Sequence, residues 1–495
     1  MKQSQRVAKN LSFSTLGNSL SAALQMGAVL IVARALPVEQ FAVYSLTVAF
    51  ASVLQRAGDM GVGSILMRDL AVKPENTGQL LGAALSLAWI FVIIVGAGMA
   101  VVIPFLHLTR EVKLATGLMG LSGLIGFQAG YYGSVIRSQE DNEFHALGFI
   151  IYGLAVFVLT LAAAATHSWS VLIGVSLACV LANVIQVLFF RWVVIRRYER
   201  PRMRVDFRLW KYLLANSVPV GVSTMTRTLG DQSDIFILTW LTNLRDTGLY
   251  SGPFKLATSL RFVPQPVMFV LFPLYSRAAV EAGGKAEFRD IYERILKILI
   301  LISFPLAVLF FAAPRPLTIG FFGKRYIDGA PVMRLMSMAV WLFFVESVFP
   351  MLLTSLHEQK FLLSSTSAAL ALRVVLNVAL TWMLGMYGPC WSIALSETAL
   401  LISWIAKLWR LGYKLPVVNL LWRPCVASLL MGAILYYANA HSLPFLALAA
   451  FFSGLLYLLV TIKLGAVSDD ERQMAREGLN FLRPFLAELS FQKKQ

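Results

Sequence analysis

The feature that most constrains this chain is a repeated pattern of apolar runs, each close to 20 residues long and separated from the next by a short polar break. An α-helix needs about 20 apolar residues to cross the hydrocarbon core of a bilayer, because it rises only about 1.5 Å per residue. Of the 495 residues, 58% are hydrophobic and 14% are charged. The pattern therefore predicts an all-α membrane protein that crosses the bilayer many times.

Fourteen runs have the length of a transmembrane helix. Their predicted ranges are 13–34, 38–57, 80–105, 114–136, 146–166, 170–192, 209–242, 247–274, 291–313, 330–356, 361–385, 387–409, 417–439 and 443–463. The seventh run is long for one crossing. Because Pro219 within it lacks a backbone N–H, we expect a kink at this point.

Basic residues are distributed unevenly between the loops on the two sides. If the N-terminus is cytoplasmic, cytoplasmic segments hold 31 of the 43 Lys and Arg residues, external loops hold 8 and four lie within spans. Lys and Arg in short loops favour the cytoplasmic side. The distribution therefore predicts that both termini are cytoplasmic. It also accounts for the net charge of +17 without a nucleic-acid partner.

The loop richest in basic residues separates the sixth and seventh spans and divides the first twelve spans into two groups of six. We therefore predict four parts of the chain: an N-terminal six-helix lobe at 1–192, a basic cytoplasmic linker at 193–208, a C-terminal six-helix lobe at 209–411, and two extra helices with a cytoplasmic tail at 412–495.

An internal repeat supports this division. The segments 36–54 and 241–260 can be superimposed at an offset of 206 residues, which places Tyr44 on Tyr250 and Ser45 on Ser251. Parallel repeats of six helices are typical of transporters whose substrate site lies between two lobes near the middle of the membrane.

Eight charged side chains lie at least eight residues from either end of a predicted span in the second lobe. A charged side chain at the centre of a membrane helix costs at least about 2.5–3.5 kcal/mol, so these residues must face protein or water and not lipid. They indicate a polar cavity and are Arg227, Asp231, Asp234, Lys255, Arg261, Glu346, Arg373 and Glu397.

Several motifs give the chain a resemblance to a known family. They occur in order along some 400 residues and read ARALPVEQFAVYS, DMGVGSILMRDLA, DQSDIFIL, DTGLYSGPFKLA, PQPVMFVLFPLYSR, FFGKRYIDGAPVMRLM and LRVVLNVALTWMLGMYGPCWSIALSETAL. The chain resembles polysaccharide flippases of the Wzx-like type. These belong to the multidrug/oligosaccharidyl-lipid/polysaccharide exporter superfamily.

The resemblance implies two six-helix bundles arranged in a V, with two further C-terminal helices. It implies a flippase that moves polyprenyl-pyrophosphate-linked oligosaccharide repeat units across the bacterial inner membrane by alternating access, for O-antigen, capsule or exopolysaccharide synthesis. The implied partners are this substrate, membrane lipid, a proton or sodium ion, a polysaccharide polymerase and a chain-length regulator.

The first candidate site residues lie in the seventh span. Arg227, Asp231 and Asp234 are spaced i, i+4 and i+7, so they share one helical face. In one interpretation Arg227 binds the substrate phosphate and the two aspartates couple transport to an ion. In the other, Arg227 pairs with Asp231, and Asp234 lies near the external end in water.

The remaining candidates lie in later spans. Lys255, Arg261 and Arg373 are predicted to bind phosphate or sugar, because cationic groups in a low-dielectric cleft suit a pyrophosphate. Lys255 and Arg261 are six residues apart, about 120° around a helix, so one cavity need not hold both. The carboxylates Glu346 and Glu397 are predicted to couple transport to an ion. Alternatively, Lys255 extends towards the external surface and Arg373 forms a structural pair with Glu346 or Glu397.

No enzymatic or metal-binding motif stands out. Cys179, Cys390 and Cys425 lie in apolar runs without metal or redox spacing, and the chain lacks a Walker loop, an HExxH motif and a nucleophile elbow. We therefore predict a transporter without a cofactor or metal, driven by an ion gradient or by its substrate gradient.

Two other functions are compatible with a chain that crosses the membrane many times. One is a multidrug exporter of the same superfamily, a branch that commonly has twelve spans. The other is an integral-membrane polysaccharide polymerase, which usually carries a large external loop, whereas the longest external loop predicted here is 313–329.

Overall fold

The computed structural model describes residues 3–105, 108–165, 170–203, 205–264, 285–413, 417–438 and 443–465. Within these ranges the chain is almost entirely helical and contains no strand, which confirms the predicted all-α class. The second part of the predicted eighth span and the predicted cytoplasmic tail lie outside the described residues.

The first half of the chain contains seven α-helices. They are α1 (Gln3–Ala35), α2 (Val38–Asp59), α3 (Val62–Val72), α4 (Thr77–Phe105), α5 (Arg110–Ser138), α6 (Asn142–Ala165) and α7 (Val171–Arg197). In this half α1 packs on α6, α5 packs on α2, α4 and α7, and α6 packs on α7.

The described residues of the second half form ten more helices. They are α8 (Phe207–Leu241), α9 (Leu244–Ser259), α10 (Lys285–Ala312), α11 (Pro314–Phe322), α12 (Ala330–Glu346), α13 (Phe349–Ser355), α14 (Gln359–Leu384), α15 (Gly388–Arg410), α16 (Val417–Ala438) and α17 (Leu443–Lys463). Here α14 packs on α8 and α15, α12 packs on α9, α10 and α15, and α16 packs on α10 and α17.

Ten stretches of the described residues are long and apolar enough to cross a membrane. This number is smaller than the fourteen predicted spans for two reasons. The stretch Gln359–Arg410 holds two helices, α14 and α15, that are joined by a short turn. In addition, α2 and α8 are not apolar enough to be counted, and α9 has only 16 residues. The multi-pass architecture is confirmed, and fourteen is an approximate count.

The helix boundaries repeat across the two halves. Helix α1 ends at Ala35 and α2 begins at Val38, while α8 ends at Leu241 and α9 begins at Leu244. Both pairs of boundaries are 206 residues apart, which is the offset of the sequence repeat. The two repeated helices α2 and α9 also pack on each other.

The two halves touch at both ends of α2. We call these the Leu36 end, where α1 leads into α2, and the Asp59 end, where α2 leads into α3. At the Leu36 end, Phe41 of α2 packs edge-on against Tyr326, with ring centroids 5.7 Å apart. At the Asp59 end, the Tyr212 hydroxyl of α8 donates a 2.8 Å hydrogen bond to Asp69 of α3.

The contact at the Asp59 end depends on two glycines. Gly61 has φ = 79°, a left-handed conformation that favours glycine, and it lies against the backbone of α8 at Ser217 and Gly221. A Cβ atom on Gly221 would in turn meet the backbone of Met60. The turn between α2 and α3 can therefore approach α8 only because neither glycine carries a side chain.

The buried apolar side chains are distributed differently at the two ends. One cluster joins the halves and includes Val32 and Phe41 of the first half together with Leu249, Phe322 and Met333 of the second. Two other clusters are mainly confined to one half each. At the Asp59 end, α8 packs on α2, α3 and α4, but fewer buried apolar side chains cross between the halves there, chiefly Leu213. Because burial of apolar surface contributes roughly 25 cal/mol per Å², the shared cluster contributes more to holding the halves together.

Candidate functional site

A buried carboxylate on α8 organises the charged residues of the second half. Asp234 is fully buried, and three side chains donate hydrogen bonds to it: the Tyr250 hydroxyl at 3.0 Å, Arg373 at 2.5 Å and the Asn377 amide at 2.7 Å. The Thr381 hydroxyl donates to the Asn377 side-chain oxygen at 2.8 Å and orients that amide. The carboxylate therefore joins three helices, α8, α9 and α14.

Arg373 is as firmly held as its partner. Its side chain is only 5% exposed, and its second terminal nitrogen lies 3.5 Å from the Glu397 carboxylate on α15. A buried ion pair need not stabilise a fold by itself, but losing one partner leaves an uncompensated charge in a low-dielectric interior. In this conformation two carboxylates balance the charge of Arg373.

Arg261 is held much more loosely. It lies in a short 3-10 turn, Leu260–Phe262, directly after α9. Its guanidinium carbon stacks 3.6 Å from the ring centroid of Phe343, and a terminal nitrogen is 3.8 Å from the Asp231 carboxylate. The Arg261 and Asp231 side chains are 34% and 41% exposed, so this ion pair is long and open to solvent or ligand.

Glu346 lies at a break in the tenth predicted span. Helix α12 ends at Glu346 and α13 begins at Phe349, with Pro350 in its first turn. Proline has no N–H to donate to the carbonyl four residues earlier, which here belongs to Glu346, and this accounts for the break. The Glu346 side chain is 9% exposed, and its Oε1 atom is buried without a hydrogen-bond partner among the described residues. The Glu397 carboxyl lies close enough for the charges of the two groups to interact.

Acidic groups outnumber basic groups in this part of the protein. We call the six side chains the charge cluster, and they are Asp231, Asp234, Arg261, Glu346, Arg373 and Glu397. Two guanidinium groups face four carboxyl groups, so full ionisation would leave a net charge of −2. Neighbouring carboxylates in a low-dielectric site favour uptake of a proton or a cation. Within the described ranges, no group of three or more His, Cys, Asp or Glu side chains has the arrangement of a metal site.

Lys255 lies outside the charge cluster and faces the first half of the chain. Its ammonium group is 5.5 Å from the ring centroid of Tyr44 on α2, and Cys179 of α7 is close enough to interact with it electrostatically. The side chain is half-buried, and no described carboxylate pairs with it. An aromatic face stabilises a cation by only about 0.5–2 kcal/mol, so this ammonium group retains most of its capacity to bind an anion.

Arg227 is exposed on α8 and makes no ion pair with any described residue. Asp231 contacts Arg261 and not Arg227, so the helical spacing i, i+4 did not identify the partner. Asp234 is buried and does not lie in water at the helix end.

The structure thus brings together six of the eight predicted site residues and separates Arg227 and Lys255 from them. Lys255 lies against Tyr44 of the first half and Arg261 against Phe343 of the second, in line with the expectation that one cavity need not hold both. The sequence reasoning missed the roles of Tyr250 and Asn377, although both left a signal. Tyr250 is the repeat partner of Tyr44, and Asn377 follows Arg373 by one helical turn.

The sequence and the fold were compared with known proteins. The model of a family described as "Polysaccharide biosynthesis protein" matches residues 7–279. The lipid II flippase MurJ in its inward closed conformation superimposes with a TM-score of 0.69 and 15% sequence identity, covering 91% of this chain and 97% of that chain. No curated protein sequence matches this one.

Two multidrug transporters are also similar in fold. The MATE transporter DinF-BH in complex with R6G has a TM-score of 0.59 and 17% identity, covering 83% of this chain and 96% of that one. An inward-facing MATE family transporter of the MOP superfamily has a TM-score of 0.62 and 15% identity, covering 80% and 94%.

The helical fold and these similarities define the class of protein. It is a multi-pass, all-helical membrane protein with the fold that the lipid II flippase MurJ and the MATE multidrug transporters also have. Within this class, the chain belongs to the polysaccharide biosynthesis protein family, since the family model covers more than half of its length.

Proposed function

We propose that this protein translocates polyprenyl-pyrophosphate-linked oligosaccharide repeat units across the bacterial inner membrane for surface polysaccharide synthesis. The family match supports a role in polysaccharide biosynthesis. The fold similarity to a lipid II flippase covers more of this chain than the similarity to multidrug transporters does. The transported molecule would carry a sugar and a pyrophosphate between a lipid tail and the aqueous phase.

The observation that carries this proposal is the placement of Lys255. An ammonium group without a carboxylate partner among the described residues lies where the second half of the protein meets the first. Leaving a cation unpaired in a low-dielectric site is costly, so such a group is most easily explained by an anionic ligand that binds during the working cycle. A pyrophosphate is an anion of this kind.

The other predicted site residues take three roles in this proposal. Arg227 and Arg261 are exposed enough to bind phosphate or sugar together with Lys255. Arg373 and Asp234 hold α14 against α8 in this conformation. The remaining carboxyl groups of the charge cluster couple transport to a proton or sodium gradient.

Transport would proceed by alternating access, with the predicted lobes at 1–192 and 209–411 moving about the linker at 193–208. We place both termini in the cytoplasm, so the Asp59 end of α2 faces inward and the Leu36 end faces outward. A polysaccharide polymerase and a chain-length regulator would act on the translocated units.

The proposed function is tested by deleting the gene in its host and analysing lipid-linked oligosaccharides by mass spectrometry. We expect complete repeat units on polyprenyl pyrophosphate to accumulate in the inner leaflet while surface polysaccharide disappears. Complete units that reach the outer leaflet and remain unpolymerised would contradict the proposal and indicate a polymerase. Normal polysaccharide with increased sensitivity to toxic compounds would indicate a multidrug exporter.

Complementation of the deletion strain tests the role of Lys255. Lys255→Met keeps the length of the side chain but removes its charge, and a hydrogen bond to a charged group contributes about 1.5–3 kcal/mol. We expect surface polysaccharide to fall roughly tenfold or more. Lys255→Arg should retain most of the activity. Lys360→Met, at an exposed position beside the start of α14, is the matched control. Parental polysaccharide levels with Lys255→Met at normal expression would refute this role.

A further inference from the structure

The charge cluster contains one fixed and one exchangeable guanidinium group. Arg373 is buried and lies 2.5 Å from its aspartate, whereas Arg261 is one-third exposed and lies 3.8 Å from its own. Arg261 is also within electrostatic reach of Glu346 and Glu397. If Arg261 moved to another anion, the cluster would lose one positive charge. The carboxyl groups would then carry a larger excess of negative charge.

Two buried atoms at the same place lack partners among the described residues. They are Oε1 of Glu346 and Nε of Arg373. Glu346 and Glu397 also lie close enough for their charges to interact, and neighbouring carboxylates in a low-dielectric site favour the uptake of one proton. Because these carboxyl groups are buried, close together and incompletely paired, they are suited to binding a proton.

The surroundings of this carboxyl pair contain few other charges. Arg261 approaches from the turn after α9 and Arg373 from α14, and both are within electrostatic reach of Glu346. Behind these two arginines lie Asp231 and Asp234 of α8. Helix α10 packs against α12, and its side chains in this packing are apolar, for example Leu299 and Ile300. Arg261 is thus the loosely held positive charge next to the pair.

Arg261 can also approach the proposed phosphate site. It follows Lys255 by six residues, which corresponds to about 9 Å along a helix axis. The two long side chains leave the helix in different directions, and each has several rotatable bonds. For one pyrophosphate to contact both side chains, Arg261 has to leave Asp231 and turn towards Lys255, and the rotatable bonds of the two side chains allow this.

We propose that Glu346 and Glu397 form a proton-binding site that Arg261 links to the substrate phosphate. Without substrate, Arg261 balances the charge of the carboxyl groups. When Arg261 forms an ion pair with the phosphate, its contacts with the carboxylates are lost, and the pair takes up one proton from water. The proposal rests on the proposed function for the identity of the anion. Protonation and phosphate binding then favour each other, because the same linkage operates in both directions.

The test uses the full-length protein in detergent and farnesyl pyrophosphate as the probe. Binding is measured by calorimetry in buffers of different ionisation enthalpy, which gives the number of protons taken up per probe bound. We expect about one more proton for the parental protein than for Glu346→Gln or Glu397→Gln, since glutamine mimics a protonated carboxyl. The pH dependence of Kd gives a second readout over the titration range of the pair. For each pH unit, the Kd of the parental protein should rise by a factor that is up to about ten times the factor for either variant.

Matched variants separate this linkage from other effects. Glu358→Gln removes a carboxylate that pairs with Lys407 at 2.9 Å, away from the charge cluster, and should behave like the parental protein. It also corrects for titration of the probe, which is common to all variants. Arg261→Ala should bind the probe more weakly and lose the additional proton uptake, and Arg261→Lys should restore part of both.

The outcomes distinguish the two proposals. Probe binding with equal proton uptake in the parental protein and both glutamine variants would overturn the proton-binding site and leave the proposed function intact. Failure of the parental protein to bind the probe would overturn the linkage, and together with normal polysaccharide in the deletion strain it would overturn the proposed function.

Discussion

At the scale of single residues, Asp234 and Glu346 show how two carboxyl groups in one cluster can differ. Asp234 accepts hydrogen bonds from three side chains, so its negative charge is compensated on every side. Glu346 ends a helix and keeps one buried oxygen without a partner among the described residues. The first group is suited to holding helices together, and the second is suited to binding and releasing a proton.

The structural role of Asp234 and Arg373 leads to a double-mutant prediction. Arg373→Met alone leaves Asp234 as an uncompensated buried charge, which costs about 3–5 kcal/mol. Asp234→Leu alone should cost less, because Glu397 still lies 3.5 Å from Arg373. The double variant leaves neither charge, so we expect it to recover most of the lost stability. Thermal unfolding of the purified protein in detergent measures both effects.

The exposed pair Arg245–Asp328 serves as the control for this cycle. Its atoms are 2.8 Å apart, but both side chains are more than half exposed, so its loss should cost at most about 1 kcal/mol. If the double variant were as unstable as the sum of the single variants, Asp234 and Arg373 would not act as a pair.

Sequence reasoning at this scale identified the charged residues but not their partners. Asp234, Arg373, Glu346 and Glu397 were recognisable because charges are expensive inside a membrane span. Their pairing depends on side chains up to 139 positions apart, such as Asp234 and Arg373, and no local spacing encodes it. The one pairing suggested by local spacing, Arg227 with Asp231, is absent, because Arg261 arrives from another helix.

At the scale of helices, α8 is the element shared by both halves. It packs on α14 through Asp234 and on the turn between α2 and α3 through Gly221. Any movement of the halves at the Asp59 end must therefore change the contacts of the helix that carries two members of the charge cluster. This provides a mechanical connection between opening of that end and the charged site.

Enlarging Gly221 should open the Asp59 end. Gly221→Val would force side-chain atoms against the backbone of Met60, and overpacking costs about 1–3 kcal/mol. We expect this to increase the open population roughly 5–150-fold. The readout is the labelling rate of Ser217→Cys, a fully buried position, with a water-soluble maleimide after replacement of the three natural cysteines.

Gly98→Val is the matched control, since no described atom lies within 4 Å of the added Cβ. It should leave the labelling rate of Ser217→Cys unchanged. Equal labelling in the Gly221→Val and parental backgrounds would mean that this contact does not hold the Asp59 end closed.

The sequence predicted where helices occur, but it did not predict where a helix is interrupted. Runs of about 20 apolar residues identified the spans directly, and the repeat predicted equivalent helix ends in the two halves. The span predicted at 330–356 is instead two helices that meet after Glu346. Hydropathy does not register the break, because Pro350 is only one residue in an apolar run and because its effect falls on a backbone carbonyl four residues earlier.

At the scale of the whole molecule, the two ends of the interface between the halves differ in strength. The Leu36 end lies in an apolar cluster that continues through both halves. The Asp59 end is joined by glycine contacts, by hydrogen bonds from Tyr212 and Trp210 of α8, and by Leu213, which is buried in a cluster that otherwise belongs mainly to the first half. Opening the Asp59 end exposes less apolar surface to water, so we expect this end to open first.

The proposed orientation can be tested by labelling from opposite sides of the membrane. Arg315→Cys and Glu75→Cys place single exposed thiols beyond the Leu36 and Asp59 ends. Since loops rich in Lys and Arg favour the cytoplasm, a membrane-impermeant maleimide should label Arg315→Cys in intact cells and Glu75→Cys only after permeabilisation. The reverse pattern would mean that the termini are external.

The contacts at both ends of α2 also matter to the energy metabolism of the cell. A pathway wide enough for an oligosaccharide would short-circuit the membrane potential if it stood open to both sides at once. Because the halves touch at the Leu36 end and at the Asp59 end, this conformation does not offer such a route. If the protein carries lipid-linked oligosaccharides as proposed, a cell can therefore hold many copies of it without draining the gradient on which its ATP synthesis depends.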